Sequence, residues 1–303
     1  MKLKFSAIGA AMLALMAMSA QANPVLPSTG ASSIVFVAMD GANGQTQPGV
    51  SLTLNLGYSM LDFLPAVTGW TQQAGSLTAP GTTVVWDFTN NTRTTNGVAD
   101  SGTFLYSSAL STFTGAVVNG LQWGVIAADN VAGAVSATTP ANLNTMGTGN
   151  STATQMQAIT GSGGPGTAAG NLGNFYAANW NKGTHAPGQF GGHVATSGTE
   201  FLNSSMGSSF GAGSQYSQNI PYLTAGSQNF IQFTRQQSNT VVYQLGLTTG
   251  IDNPAVNPAS FAFDAAAGTL TYVMPVPEPG QYAMLLAGIA AIGFMVRRRQ
   301  SQV

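Results

Sequence analysis

The sequence contains no cysteine and very few charged residues. Without cysteine the chain can form no disulfide bond, thiolate nucleophile or cysteine-ligated metal site. Export stays open, because 303 residues of which 44% are hydrophobic can build a core that needs no covalent cross-links. Only 6% of the residues are charged, against about 25% in ordinary globular proteins. The hydrophobic content argues against a disordered chain.

The few charges are unevenly distributed along the chain. Five of the eight basic residues lie near the two ends, as Lys2, Lys4 and Arg297 to Arg299. Residues 23–275, called the body below, retain three basic and eight acidic residues and therefore a net charge of −5. Such a body has no basic patch that could neutralise phosphates, so we expect no nucleic-acid partner.

The first 22 residues show the three-part pattern of a signal peptide. Lysines at positions 2 and 4 precede an apolar run from about Phe5 to Met18. Ala20 and Ala22 then supply the small residues that a signal peptidase accepts. We predict cleavage after Ala22, which would make Asn23 the first residue of the mature chain; an N-terminal anchor helix is the alternative.

The C-terminal segment combines a proline-locked tripeptide, an apolar run and three arginines. The proline rings hold Pro277-Glu278-Pro279 extended and outside any helix. Residues 282–296 are uncharged, and as a helix they would cover roughly 23 Å of a hydrocarbon core about 30 Å thick. Arg297, Arg298 and Arg299 would hold their end in the cytoplasm. We therefore predict a marginal transmembrane helix over about 280–296, with the body outside the inner membrane.

These three parts, in this order over residues 276–300, resemble the PEP-CTERM sorting signal of Gram-negative bacteria. The resemblance implies that Pro277, Glu278 and Pro279 form the motif recognised by an exosortase, a membrane enzyme that removes the tail. It also implies that Arg297 to Arg299 are a temporary cytoplasmic stop. Family members are typically surface or matrix proteins of bacteria that make exopolysaccharide. A plain C-terminal anchor is the alternative.

The body shows the period-two alternation of β-strands. In SLTLNLGY, leucines at 52, 54 and 56 and Tyr58 share one face, and polar residues share the other. Similar alternation occurs at 83–88, 121–129, 240–247 and in a terminal hairpin over 260–273, and residues 33–39 and 229–235 are further strand candidates. One apolar and one Thr/Asn/Ser face per strand predicts a mainly β fold, an antiparallel, jelly-roll-like β-sandwich. Charged side chains on edge strands discourage pairing with other chains, and this body has few of them. We therefore expect edge strands that pair with other chains.

Residues 132–228 differ in composition and are dominated by Gly, Ser, Thr, Ala, Asn and Gln. We predict a partly helical insertion here, with helices near 140–147, 152–159 and 172–180. The alternative is a linker between two small domains. Phe175, Tyr176 and Trp180 are aromatic residues that we expect to line a surface of this insertion.

No catalytic or metal-binding constellation emerges from the motifs. Ser209 lies in a G-x-S-x-G string, but no histidine follows His193, so a hydrolase triad in that order is excluded. His185, His193 and Glu200 are the one imidazole–carboxylate set, and their spacing matches no helical or hairpin pair. We predict no metal site there. For Asp40 in the MDGANGQ stretch, and for most other aspartates, we prefer turn or capping roles to a calcium site or a catalytic pair.

The leading hypothesis is an exported, non-enzymatic structural or adhesive protein of the cell surface or matrix, without a cofactor. Its expected partners are the signal peptidase, the exosortase, transiently the inner membrane, and exopolysaccharide or further copies of the chain. One alternative is a carbohydrate-binding module that stacks sugars on tryptophan, of which the candidates are Trp70, Trp86, Trp123 and Trp180. A second is a glycoside hydrolase with an unrecognised carboxylate pair.

Overall fold

The protein is mainly β, with twelve strands and few helices in the part of the chain that the structure describes. The structure is a computed structural model. The residues that it describes are 32–40, 49–63, 75–117, 120–129, 143–148, 174–179, 182–185, 189–197, 227–235, 259–276, 287–290 and 292.

The strands are short to medium in length and occur throughout the described part of the body. Their bounds are β1 Ser33–Asp40, β2 Ser51–Ser59, β3 Thr83–Asp87, β4 Thr92–Thr95, β5 Val98–Ala99, β6 Phe104–Leu105, β7 Leu121–Asp129, β8 Leu143–Thr148, β9 Phe190–Ala195, β10 Ser227–Arg235, β11 Ser260–Asp264 and β12 Thr269–Val273. The helical elements are a 3₁₀ helix over Met60–Phe63, helix α1 over Ser107–Ala116 and helix α2 over 174–179.

The strands form one continuous ladder in the order β5-β4-β3-β12-β11-β10-β8-β7-β1-β2-β9-β6. All pairs are antiparallel except β6 with β9. Strand β10 pairs with β11 through Ser227–Asn229 and with β8 through Phe230–Arg235, so it connects two parts of the ladder. We call β5-β4-β3-β12-β11 the front half and β8-β7-β1-β2-β9-β6 the back half.

The two halves bury their inner faces against each other. The ring of Phe36 in the back half lies 5.2 Å from Phe88 and 4.8 Å from Phe263 in the front half, measured between centroids. The indole N–H of Trp86 in β3 donates to the backbone carbonyl of Leu56 in β2 at 2.8 Å. Aromatic packing and this cross-half hydrogen bond therefore build one core between the halves.

The predicted strands and their apolar faces are confirmed where the structure describes them. Leu52, Leu54 and Leu56 in β2 are fully buried, as are Val84 and Trp86 in β3. The same holds for the inner residues of β7, which are Trp123, Val125 and Ala127. The predicted strand over 240–247 lies outside the described residues.

The terminal hairpin is also confirmed. Phe261 lies opposite Tyr272, and Phe263 lies opposite Leu270, in the register that the alternation requires. The turn is closed by Asp264, whose carboxylate accepts the backbone N–H groups of the residues two and three positions later. Strand β12 of this hairpin lies in the interior of the ladder, between β3 and β11.

The predicted helix near 140–147 is wrong. That stretch contains strand β8, Leu143–Thr148, which pairs with β7 on one side and β10 on the other. Thr, Asn and Gly are poor helix formers, and two open strand edges supply backbone hydrogen-bond partners. The helix predicted over 172–180 is present as α2, and the one over 152–159 lies outside the described residues. Residues 132–228 thus contribute β8, α2, β9 and the first two residues of β10 to the fold.

Candidate functional site at the exit of the C-terminal segment

The C-terminal segment leaves the body from a strand that is held on both sides. After β12 ends, the N–H of Met274 donates to the carbonyl of Thr82 at 2.8 Å. The N–H of Gly81 in turn donates to the carbonyl of Met274, also at 2.8 Å. The chain reaches the surface at Val276, which is 62% exposed. The body therefore continues in an ordered way to within one residue of Pro277.

Uncharged residues surround this exit. Val273 is paired with Thr83, and Thr83 exchanges two hydrogen bonds with Asn96, through backbone and side chain. Val98 follows at once in the β4–β5 hairpin, opposite Thr95. We call this end of the front half the exit rim, comprising Gly81, Asn96, Gly97, Val98, Val273 and Val276. Its valines are all exposed.

Beyond the exit, the described residues of the tail are helical and unpacked. Residues 287–290 and 292 are helical, and Ile289 and Ile292 are 57% and 63% exposed. None of the helices in the described part of the chain is long and apolar enough to cross a membrane. The predicted span over about 280–296 falls largely outside the described residues, as do Pro277, Glu278, Pro279 and Arg297 to Arg299.

A second polar constellation lies inside the body, around Arg93 of strand β4. Its guanidinium forms an ion pair with Asp100, Nε to Oδ2 at 2.6 Å, and donates from Nη1 to the carbonyls of Leu56 and Gly57. The Tyr58 ring lies 4.0 Å from the guanidinium carbon, with the rings of Phe104 and Phe190 further out. Arg93 is only 7% exposed, and its charge is balanced inside the protein by the Asp100 carboxylate and the two carbonyls.

The cluster joins the two ends of the strand ladder. Strands β5 and β6 are the terminal strands of the order, yet only residues 100–103 separate them in the chain. Arg93 bonds across to β2, and Thr103 accepts the N–H of Phe190 at 2.8 Å. The Tyr58 hydroxyl lies 2.8 Å from that of Thr95. Burial raises the pKa of Tyr58 to about 12, although the nearby Arg93 charge opposes the rise.

The match of this chain to known proteins is confined to the tail. Residues 275–299 match the family model described as the PEP-CTERM protein-sorting motif. The chain carries a PEP-CTERM sorting segment. The segment identifies an exported protein that is a target of an exosortase, with processing at the membrane before it reaches the cell exterior or surface. No curated protein and no solved structure matches the chain.

The PEP-CTERM match confirms the resemblance seen in the sequence and begins where the ordered body ends. It starts at Pro275, two residues after β12. The roles of Pro277, Glu278 and Pro279 in recognition, of Arg297 to Arg299 as a stop, and of Ala20, Ala22 and Asn23 in signal-peptide cleavage stay predictions, because all of these residues lie outside the described part.

Of the candidate metal-binding residues, the structure describes the two histidines. His185 is buried, and its Nδ1 lies 3.0 Å from the carbonyl oxygen of Asn179. Burial lowers the pKa of His185 to about 4, so the ring is neutral at pH 7. His193 lies in β9 close to it, whereas Glu200 lies outside the described residues. Among the described residues, no group of three His, Cys, Asp or Glu side chains could hold a metal ion.

The described aspartates mostly hold turns and loops, as the sequence predicted. Asp62 accepts hydrogen bonds from the N–H and hydroxyl of Ser59 and from the hydroxyl of Ser76. Asp87 accepts from the backbone and side-chain N–H groups of Asn90. Asp40 is buried, and its N–H donates to the Val50 carbonyl, while Asn43 and Ser209 lie outside the described residues.

The aromatic residues considered for sugar stacking or for lining a surface are either buried or outside the described part of the chain. Trp86 and Trp123 are fully buried, which confirms their expected place on core faces and removes them as sugar-stacking platforms. The expectation that Phe175 and Tyr176 line a surface is wrong, because both are buried where helix α2 packs on the back half. Trp70 and Trp180 lie outside the described residues.

Sequence reasoning missed the Arg93 cluster. Arg93 is one of three basic residues in the body, and it occupies the inward-facing position of a short TRTT strand. A lone arginine at a core-facing position of a threonine strand is a signal that buried partners are present. Its partners Tyr58 and Asp100 are 35 residues before it and seven residues after it, so spacing alone does not connect them.

Proposed function

We propose that this chain is a structural or adhesive protein of the cell surface or extracellular matrix, associated with exopolysaccharide or biofilm, and that it is not an enzyme. The observation that carries the proposal is the sorting segment that follows directly on a locked strand of a β-rich body. An exosortase would release that body outside the inner membrane. Once released, such a body needs stability and adhesive surfaces rather than acid–base groups.

The roles of the described titratable groups support the non-enzymatic part of the proposal. Asp62, Asp87 and Asp264 bond to nearby backbone or side-chain donors, and Asp100 is paired with Arg93. Catalytic carboxylates of a glycoside hydrolase instead face each other across a cleft open to substrate. A buried, neutral His185 is likewise suited to structure rather than to proton transfer at neutral pH.

The outer face of the front half supports the adhesive part. It presents short side chains in register across four strands, among them Thr94, Val85, Thr271 and Ala262. All four are half-buried, and the face is nearly uncharged apart from its Asp87 and Asp264 end. Such a surface suits contact with polysaccharide hydroxyls or with another copy of the same face.

The architecture that we propose for the body is a β-sandwich. Its support is the contact of the front and back inner faces through Phe36, Phe88, Trp123 and Phe263. A jelly-roll-like connectivity stays a prediction. In the same proposal, the signal peptide is cleaved after Ala22 and the helix over about 280–296 is a transient anchor that the exosortase discards.

A genetic experiment in the source bacterium tests this function. We expect deletion of the gene to change biofilm cohesion and matrix composition without loss of an enzymatic activity. Complementation with the chain in which Pro277, Glu278 and Pro279 are all replaced by alanine should leave the protein membrane-bound with Arg297 to Arg299 retained. The matched control is Pro80→Ala in an exposed turn, which should restore the wild-type biofilm. An unchanged biofilm in the deletion strain would contradict the proposal.

A further inference from the structure

Exposed apolar side chains in the described part of the chain are few and are grouped. The large ones are Val98 at 59%, Val273 at 39% and Val276 at 62%, together with Ile289 and Ile292 of the sorting segment. The three valines all belong to the exit rim. A cluster of exposed apolar side chains on an otherwise well-buried protein marks an interaction surface.

The three valines lie at one end of the front half. Val273 is paired with Thr83, the next strand places Thr95 and Asn96 beside it, and Val98 follows across the hairpin. At about 4.8 Å between neighbouring strands, Val98 and Val273 are roughly 14 Å apart. Val276 lies against the exposed turn at Gly81, where an added Cβ would meet its side chain at 3.2 Å. Val98 shares the face of Thr95 and Val273 the opposite face, that of Thr83, so exposed valines lie on both faces of the front half at the end where the tail leaves.

Charge is kept away from this end of the front half. Asp87 and Asp264 lie at the opposite end of the front half, where both pair with Thr269 in register. Near the rim, the Asp100 carboxylate is engaged by Arg93, Tyr58 and Thr95, and that of Asp62 by Ser59 and Ser76. The end that carries the valines thus presents no uncompensated charge among the described residues.

The sorting segment restricts what can face this rim. Tyr282, where the uncharged run begins, is six positions after Val276. A fully extended chain spans at most about 3.6 Å per residue, so the rim lies within about 22 Å of the hydrocarbon boundary when the tail is inserted. The headgroup region fills about 5 to 7 Å of that distance, because a bilayer of about 40 to 45 Å has a hydrocarbon core of about 30 Å.

We propose that the exit rim rests on the outer surface of the inner-membrane bilayer before processing, with Val98, Val273 and Val276 at the lipid interface. This inference rests on the proposed membrane anchoring of the tail. The occupant is the lipid surface, because the rim is apolar, uncharged and tethered directly beside it. Since no basic residue takes part, the contact is insensitive to salt, unlike the binding of polybasic segments to anionic lipids.

Single-cysteine labelling tests the contact, and the absence of native cysteine makes each label unique. The chain is produced in a bacterium without an exosortase, so that its tail is retained. It is then reconstituted in phosphatidylcholine vesicles that contain brominated phosphatidylcholine. Variants Val98→Cys, Ala266→Cys and Ile289→Cys carry an environment-sensitive fluorophore at the rim, at the opposite end of the front half and in the tail.

We expect bromine quenching at positions 98 and 289 but not at 266, with the quenching at 98 unchanged in high salt. Quenching at 289 without quenching at 98 would overturn the contact while leaving the anchoring intact. No quenching at 289 would overturn the anchoring itself, and the contact with it. Quenching at 98 that requires a co-reconstituted exosortase would assign the rim to the enzyme and overturn the lipid contact.

A charge substitution gives an independent readout on the folded chain. A label at the exposed Ala99, introduced as Ala99→Cys, should be quenched in the same vesicles. Adding Val98→Asp should abolish that quenching and leave quenching at 289 unchanged, because a carboxylate is expelled from the interface. Ala266→Asp is the matched control and should change neither signal. Quenching at 99 that survives Val98→Asp would contradict the proposed contact.

Discussion

The outer faces of the two halves carry similar polar residues in opposite environments. In β2 of the back half, Thr53 and Asn55 are 3% and 0% exposed. In the front half, Thr83 and Thr271 occupy equivalent alternating positions and are half-exposed. The back half is covered in part by helix α2, whose Tyr176 hydroxyl donates to the Ser33 carbonyl at 2.7 Å.

This difference shows that alternation defines a face but not its surroundings. Period two follows from the pleat of the strand and is visible within a few residues. Whether the polar face meets water depends on elements that are far away in the chain; Tyr176 is 143 residues from Ser33. The covered face belongs to the stable interior, whereas the uncovered face is available for contacts outside the chain.

The largest expected effect compares one lysine substitution on each outer face. Thr53→Lys places a charge at a buried position and should lower the free energy of unfolding by about 4 kcal/mol or more. Thr271→Lys places the same charge on the half-exposed face and should change it by less than about 0.5 kcal/mol. Urea unfolding followed by tryptophan fluorescence measures both. Equal losses would show that the front face is also covered.

The next effect concerns Arg93, which links the halves from β4 to the carbonyls of Leu56 and Gly57. Arg93→Met leaves the half-buried Asp100 without its cation and should lower the free energy of unfolding by about 3 kcal/mol. The control is the double variant Arg93→Met with Asp100→Asn, which removes the uncompensated charge and should recover part of that loss. A single variant as stable as the wild type would contradict a structural role for the cluster.

The third effect is a pH dependence at the loop that packs beside α2. The pKa of His185 is about 4 in the folded chain and about 6.5 when unfolded, so between these values the unfolded state binds the extra proton. The stabilisation is therefore complete above pH 6.5 and is lost as the pH falls towards 4. At about 1.36 kcal/mol per pKa unit, the change between pH 7.5 and pH 5 is about 2 kcal/mol.

His185→Gln should remove most of this pH dependence. The measurement is the urea midpoint at pH 7.5 and pH 5 for the wild type and the variant. His193→Gln in β9 is the second arm: because the neighbouring His193 contributes to the low pKa of His185, this variant should weaken the slope only in part. An unchanged slope in the His185 variant would assign the acid sensitivity to other groups.

The smallest effect is expected in the exposed turn of the front half. Asp264→Ala removes two hydrogen bonds to the N–H groups of Ala266 and Ala267, at 2.9 and 3.0 Å. Because the turn is exposed, water replaces these bonds, and the loss should be about 0.5 to 1 kcal/mol. Thermal unfolding of the variant measures it. A loss as large as that of Arg93→Met would mean that this turn is coupled to the core.

Local patterns predicted the strands with apolar inner faces and missed those without them. The segments of β2, β3, β7 and the β11–β12 hairpin place large apolar residues at alternating positions, which specifies both the strand and its inner face. The segment of β1, SIVFVAMD, is instead a continuous apolar run, which is typical of a strand buried on both faces. Strand β8, Leu143–Thr148, has a weaker pattern and was predicted as part of a helix. Its strand state comes from the paired edges of β7 and β10, which the sequence of β8 does not contain.

The sorting segment could be recognised in the sequence for a different reason. Its function depends on contiguous residues, because an extended tripeptide, an apolar run and a basic end act in that order along the chain. The Arg93 cluster has the opposite character, since its members Tyr58, Arg93 and Asp100 meet through strand pairing and side-chain packing. The clustering of Val98, Val273 and Val276 is likewise a consequence of register, which one strand alone does not reveal.

By itself, the sequence determined the sorting signal for export, the low charge, the absence of cysteine chemistry and the apolar faces of the main strands. These depend on composition and on short-range periodicity. The tertiary structure alone decided which polar faces are covered, that Arg93 closes the two ends of the ladder, and that the valines gather where the tail departs. These depend on contacts between residues distant in the chain, whose free energy exists only when the strands have paired.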